Sequence, residues 1–177
     1  MSLCSLILFS LLTLQNSSPP DRQLFSRVLA APSVQEKLIL IDELVKKHPE
    51  SDLRDDAYLI AMGIYQTKGD AARTVDYGER AIKINSSALE ALVVLSRQYA
   101  IERRNLNRAI QYARRAVELA GQGRGQEPPP GYQLNEWIQY LGQSKETATQ
   151  TIKYIQGLTN AVLGRKKGPG NRQLLFY

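Results

Sequence analysis

Chemistry-bearing residues are scarce in this sequence of 177 residues: it holds one cysteine, Cys4, and one histidine, His48. A lone cysteine excludes an intramolecular disulfide, and one cysteine with one histidine cannot assemble a structural zinc cluster. There is no phosphate-cradling glycine loop, no Gly-x-Ser-x-Gly turn and no His-Glu-x-x-His pair. No catalytic residue, metal or cofactor is therefore expected, and the chain reads as a protein that is not an enzyme. His48 precedes Pro49 at a helix end, where an imidazole caps carbonyls or faces water. Asp52, Asp55 and Asp56 gather at a helix start, and the positive end of the macrodipole accounts for carboxylates there without a metal.

Long apolar runs are scarce too. Leu3–Leu14 is uncharged but spans only 12 residues, too few to cross about 30 Å of hydrocarbon as a helix. Its length and position suit the apolar core of a secretory signal within residues 1–20, followed by polar Gln15–Pro20. No Lys or Arg precedes it and no small-x-small cleavage site follows. Leu3 stands where a lipoprotein signal needs a small residue before the cysteine. A hydrophobic helix packed on the domain is the other reading. The signal implies a protein that is exported, periplasmic or envelope-associated, the alternative being cytoplasmic.

What is present excludes disorder of the whole chain: 43% of residues are hydrophobic and 23% charged. The net charge of +6 is unevenly spread. Residues 1–70 carry seven basic against nine acidic side chains, and residues 71–177 carry sixteen against eight. A basic half suits acidic protein, anionic membrane or nucleic acid, although arginines scattered on helices read first as a solvated face.

The strongest signal is an internal repeat. Tyr77–Ile84 aligns with Tyr112–Leu119 at a spacing of 35, while Tyr65 aligns with Tyr99, and Tyr58 with Leu92, at 34. An insertion in the turn Arg103–Asn105 accounts for the difference. A weaker copy, Leu44–Glu50, precedes them. Apolar residues recur at helical spacing in Tyr58, Ala61, Met62 and Tyr65, and in Leu92, Leu95, Ser96 and Tyr99. Ser33 with Glu36, and Ser87 with Glu90, read as capping boxes. Asp70 and Asn105 read as N-caps, and Gly69 as a helix end. The pattern predicts helices near 22–30, 34–47, 52–68, 71–84, 88–103 and 106–120, with no strand. The fold class is all-α.

On these residues the chain resembles the tetratricopeptide repeat. Ala109, Ala81 and Ala116 fit the small positions of the second helix of each pair, and Pro49 the closing proline. Thr74 replaces the first small residue and Ser86 the proline. Lys46–Ser51 running into Asp55–Ala57 is similar to solenoids of bacterial envelope-assembly proteins. The resemblance implies an α-solenoid of stacked antiparallel helix pairs over residues 21–120 and a protein-interaction scaffold that binds a polypeptide in its concave groove. By repeat position, the peptide-binding candidates are Leu59, Ile60, Gly63, Gln66, Glu90, Val93, Val94, Arg97 and Ile101. Leu59, Gly63 and Val94 stand where the carboxylate-clamping variant has Lys and Asn, so an apolar groove with Arg97 as its main charge is expected.

Residues 121–131 read as a Gly/Pro linker and residues 132–164 as two capping helices, with Ala148, Ile152, Ile155, Thr159 and Val162 on the docking side. Residues 165–177 read as a basic, disordered tail. The expected partner is a protein or peptide of unspecified identity, with peripheral membrane contact through Arg165, Lys166 and Lys167 the lesser reading. The alternative function is a basic helical module for nucleic acid or anionic membrane, using Arg103, Arg104, Arg108, Arg114 and Arg115. These lack an interleaved aromatic platform, so nucleic acid is the weaker expectation.

Overall fold

A computed structural model describes residues 19–123, 126–129 and 131–166, with side chains as far as Ala161. The expected signal segment, part of the linker and the tail from Lys167 lie outside the described residues, as does the Val162 side chain. Among the described residues every regular element is helical: α1 (Pro20–Ala30), α2 (Val34–Lys47), α3 (Arg54–Thr67), α4 (Ala71–Ile84), α5 (Leu89–Ile101), α6 (Leu106–Gln122) and α7 (Leu134–Lys166). Neighbouring helices pack largely in sequence order. The chain divides into two units, one ending at Ala57 and the other starting at Tyr58.

In the first unit α1 packs on α2, burying Leu24 and Val28 from one and Leu40, Ile41 and Leu44 from the other. These i, i+3 and i, i+4 spacings place each set on one helix face. Ser33 caps α2, its Oγ accepting the Glu36 N–H at 3.1 Å. His48 ends α2, its backbone N–H donating to the Leu44 carbonyl at 2.9 Å. The segment after α2 returns to the start of α1, where the Ser51 hydroxyl donates to Asp21 at 2.8 Å and holds that carboxyl below its usual range. Asp55 and Asp56 lie in the first turn of α3. Burial, then the charges of Asp55 and Asp52, push Asp56 up.

In the second unit the sequence repeat reappears as a burial repeat. Tyr58 and Leu92, Ala61 and Leu95, Met62 and Ser96, and Tyr65 and Tyr99 are all buried at the 34-residue spacing. Thr74 and Ala109, Gly78 and Ala113, and Ala81 and Ala116 are buried at 35. Tyr77 of α4 stacks on Tyr65 of α3 with centroids 5.4 Å apart, and lies 6.0 Å from Tyr58. The buried stripe of α6 is alanine throughout, Ala109, Ala113, Ala116 and Ala120, so both α5 and α7 can approach it. The bulk comes from Leu92, Leu95 and Tyr99 of α5 and from Leu141 and Ile155 of α7.

The turns carry the chemistry their residues allow. Gly69 takes φ +71° at the end of α3, and the Asp70 N–H reaches back to the Tyr65 carbonyl at 2.9 Å. Asp70 then caps α4, its Oδ1 accepting the Arg73 N–H at 3.0 Å. The repeat's inserted residue falls in the next turn, where Arg103 and Asn105 both take the left-handed conformation. Asn105 precedes α6 but makes no side-chain cap, because its backbone is left-handed rather than extended. The expected capping box of Ser87 and Glu90 does not form. Asn85 Oδ1 takes the Ser87 N–H at 3.0 Å and the helix begins after Ala88, one residue too late for the Ser87 oxygen to cap it.

Residues 134–166 form one continuous helix where the sequence suggests two. A helix-interior glycine such as Gly142 costs only about 1 kcal/mol, which packing on both sides of it offsets. The buried face of α7 is Leu141, Ser144, Ala148, Thr151 and Ile155, a 3,4,3,4 spacing against α5 and α6. Of the expected docking side, Ala148 and Ile155 are buried, Ile152 is half-buried and Thr159 is exposed. The Gln133 N–H donates to Glu136 Oε2 at the helix start. At the end of α6, a Cβ on Gly123 would lie 3.1 Å from Leu141, so the bare glycine admits that side chain.

Candidate peptide-binding face

α5 is apolar on more than one face because it packs against α4, α6 and α7. Its stripe Ala91, Leu92, Leu95, Ser96, Tyr99 and Ala100 is buried. The stripe Glu90, Val93, Val94, Arg97 and Ile101 points elsewhere, and α7 runs beside part of it. Between the two helices lies a cleft of about 370 Å³. Arg97, Ala100 and Ile101 form one wall, and Thr147, Gln150, Thr151 and Tyr154 the other.

The walls are amphipathic. Ile101 is 59% exposed and Tyr154 45%, large apolar surfaces left facing water. Arg97 is exposed and forms neither an ion pair nor a hydrogen bond among the described residues. The Thr151 hydroxyl donates to the Thr147 carbonyl at 3.0 Å, which leaves its oxygen free to accept. Gln150 Nε2 donates to Glu146 at 2.9 Å.

Of the nine residues expected from the sequence, Arg97 and Ile101 share this cleft. Val93 packs on the cluster of Leu92, Ala113, Ala116 and the α7 residue Ala148. Val94 is half-buried. Glu90 is exposed as a residue, yet burial raises its carboxyl, and its charge acts on Tyr140 of α7. The Tyr140 hydroxyl is pushed up to about 12, chiefly by burial and then by Glu90. Leu59, Ile60 and Gly63 are half-buried on α3 and Gln66 is exposed. None of these four lines either of the clefts described here. The α7 wall was invisible to reasoning from the repeat, since Thr147, Gln150, Thr151 and Tyr154 belong to no repeat copy.

A second cleft of about 360 Å³ lies between α4 and α6, lined by Asp76, Glu79, Arg80, Ile82, Lys83 and Arg108. Its centre is Glu79, which accepts from the Tyr99 hydroxyl at 2.7 Å, the Tyr112 hydroxyl at 2.9 Å and Arg108 at 2.6 Å. Both tyrosines are pushed up to about 12, by burial first and then by the Glu79 charge. Arg80 pairs with Asp76 at 2.9 Å. The arginines of this network correspond in the repeat but their ring partners do not, since Tyr65 corresponds to Tyr99 and Tyr112 to Tyr77. Arg73, 35 residues before Arg108, lies 4.9 Å over the ring of Tyr65 and donates to its hydroxyl at 3.2 Å, while Arg108 lies 5.3 Å over the ring of Tyr112. Among the described residues no cluster of His, Cys, Asp or Glu is arranged to hold a metal.

No protein-family model and no curated protein matches the chain.

Proposed function

We propose that this chain is a tetratricopeptide-type solenoid of stacked antiparallel helix pairs that acts by binding a segment of another polypeptide, in a bacterial cell envelope, and catalyses no reaction. The observation that carries the reading is the cleft between α5 and α7. It offers exposed apolar surface from Ile101 and Tyr154 beside an unpaired guanidinium, on rigid helices whose buried faces are already satisfied by one another. The repeat of buried positions at 34 and 35 residues supports the solenoid, because stacked repeats of this length build such surfaces along one side. The uncharged run Leu3–Leu14 supports the location.

The alternative, a basic surface for nucleic acid or anionic membrane, has less to draw on. Arg104, Arg108 and Arg115 pair with Glu102, Glu79 and Glu118, which leaves Arg103 and Arg114 of the five.

The immobilised full chain should retain a polypeptide from envelope extract, identified by mass spectrometry and then bound again as the purified partner. The double variant Arg97→Glu/Ile101→Asp should lose it while keeping the same circular dichroism, since both side chains are exposed. Equal retention by both proteins would remove the α5–α7 cleft as the site. Retention of nucleic acid or lipid alone would favour the basic surface.

A further inference from the structure

The two clefts of unit two are similar in size and differ in how their charges are held. In the α4–α6 cleft both arginines are engaged by carboxylates of the same walls, Arg80 by Asp76 and Arg108 by Glu79. An incoming acid there would meet two resident carboxylates that already engage both arginines, with Lys83 the remaining cation of the lining. The α5–α7 cleft has no carboxylate in its walls. Glu146 bonds Gln150 and does not line it. Arg97 is its single charge and has no partner among the described residues.

We propose that the α5–α7 cleft selects a short peptide segment in which an acidic side chain sits beside apolar ones, the carboxylate engaging Arg97 and the apolar groups covering Ile101 and Tyr154. This rests on the reading of the chain as a peptide binder and names the chemistry of its ligand. A guanidinium offers a planar fork of donors that matches a carboxylate in two parallel hydrogen bonds. The flanking hydroxyl oxygen of Thr151 can accept from a peptide N–H. A cleft of about 370 Å³ holds a few side chains, not a folded domain. The carboxylate is that of an internal Asp or Glu.

The test uses the full chain on arrays of acetylated, amidated twelve-residue peptides, with apolar residues randomised around a central Glu, Gln or Lys. A fourth arm carries central Gln and a free terminal carboxylate. Binding should be enriched in the Glu arm and should fall with added salt. Arg97→Gln should reduce the Glu-arm affinity about tenfold or more, the scale of one charge-assisted hydrogen-bonded pair. Arg97→Glu should move the preference to the Lys arm. Arg97 is exposed and has no partner among the described residues, so both variants should fold as the parent does. Equal binding in all arms would overturn the acidic preference and leave the peptide-binding reading standing. Preference for the free-terminus arm would overturn the internal carboxylate. No binding in any arm would overturn both.

Discussion

The carboxylate of Glu79 on α4 accepts the hydroxyl of Tyr99 on α5 at 2.7 Å. Its second oxygen takes the Tyr112 hydroxyl and Arg108 of α6, so one acidic side chain joins three helices. Removing it leaves two largely covered hydroxyls without their acceptor. Glu79→Ala should therefore cost about 2–4 kcal/mol, most of it desolvation left uncompensated. Glu79→Gln keeps an acceptor and should cost less. Arg108→Ala should matter least, because its guanidinium is half exposed and surface ion pairs contribute little. Urea unfolding followed by circular dichroism ranks the three, and a larger loss for Arg108→Ala than for Glu79→Ala would contradict the hub.

Three tyrosines, Tyr99, Tyr112 and Tyr140, have hydroxyls pushed up to about 12. The folded protein thus holds these protons where the unfolded chain, with tyrosines near 10, releases them. Their contribution to stability is fully present below pH 10 and is lost between about pH 10 and pH 12. Tyrosinate absorbance should accordingly show a late fraction of the nine tyrosines in the native protein, and this fraction should titrate normally in urea. Glu79→Gln should advance the titration of two of the three.

Two helical glycines should respond with opposite signs. A Cβ on Gly78 would lie 2.9 Å from Leu95 and 3.1 Å from Met62, so Gly78→Ala should destabilise by about 1–3 kcal/mol despite the better helix propensity. A Cβ on Gly63 meets nothing within 4 Å. Gly63→Ala should be stabilising by up to about 1 kcal/mol. Thermal unfolding of the pair is the measurement. In the following repeat Met62 and Gly78 become Ser96 and Ala113, the shorter side chain on one helix accompanying the longer one on the other.

α7 is part of the core. Ile155 is buried in one cluster with Leu95, Tyr99, Ala100 and Ala109. Ile155→Ala should cost about 2–5 kcal/mol, as for other buried aliphatics. If α7 were only an appended cap, the loss measured by urea unfolding would be near zero.

Arg103 has φ 53°, a conformation that glycine takes without side-chain strain. Arg103→Gly should raise the unfolding temperature slightly, by relief of about 1 kcal/mol. The same change at Asn105 should do less, because asparagine already tolerates the left-handed region.

The helical character, the ends of α2 and α4 and the turn that absorbs the inserted residue were legible because they rest on local signals: 3.6-residue periodicity, Ser33 and Asp70 at caps, and a slip of one in the tyrosine spacing. Local signals misled where two acceptors competed. Ser87 and Glu90 have the letters of a capping box, but Asn85 claims the Ser87 N–H. The continuity of α7 was not legible, because it rests on packing against α5 and α6, which is not a local property.

The sequence alone determined that the repeat region is helical, that its pattern recurs every 34 or 35 residues, and that Ala109 and Ala116 take small positions of α6. Each follows from backbone propensity and hydrophobic spacing along one stretch of chain. Only the tertiary structure decided which side chains meet across stretches. It joined Glu79 to tyrosines 20 and 33 residues away and placed Tyr154 opposite Arg97. Among the described residues it also left Arg97 without a carboxylate while supplying one to Arg108. The physical reason is that hydrogen bonds and ion pairs act over a few ångströms of space, whatever their separation in sequence.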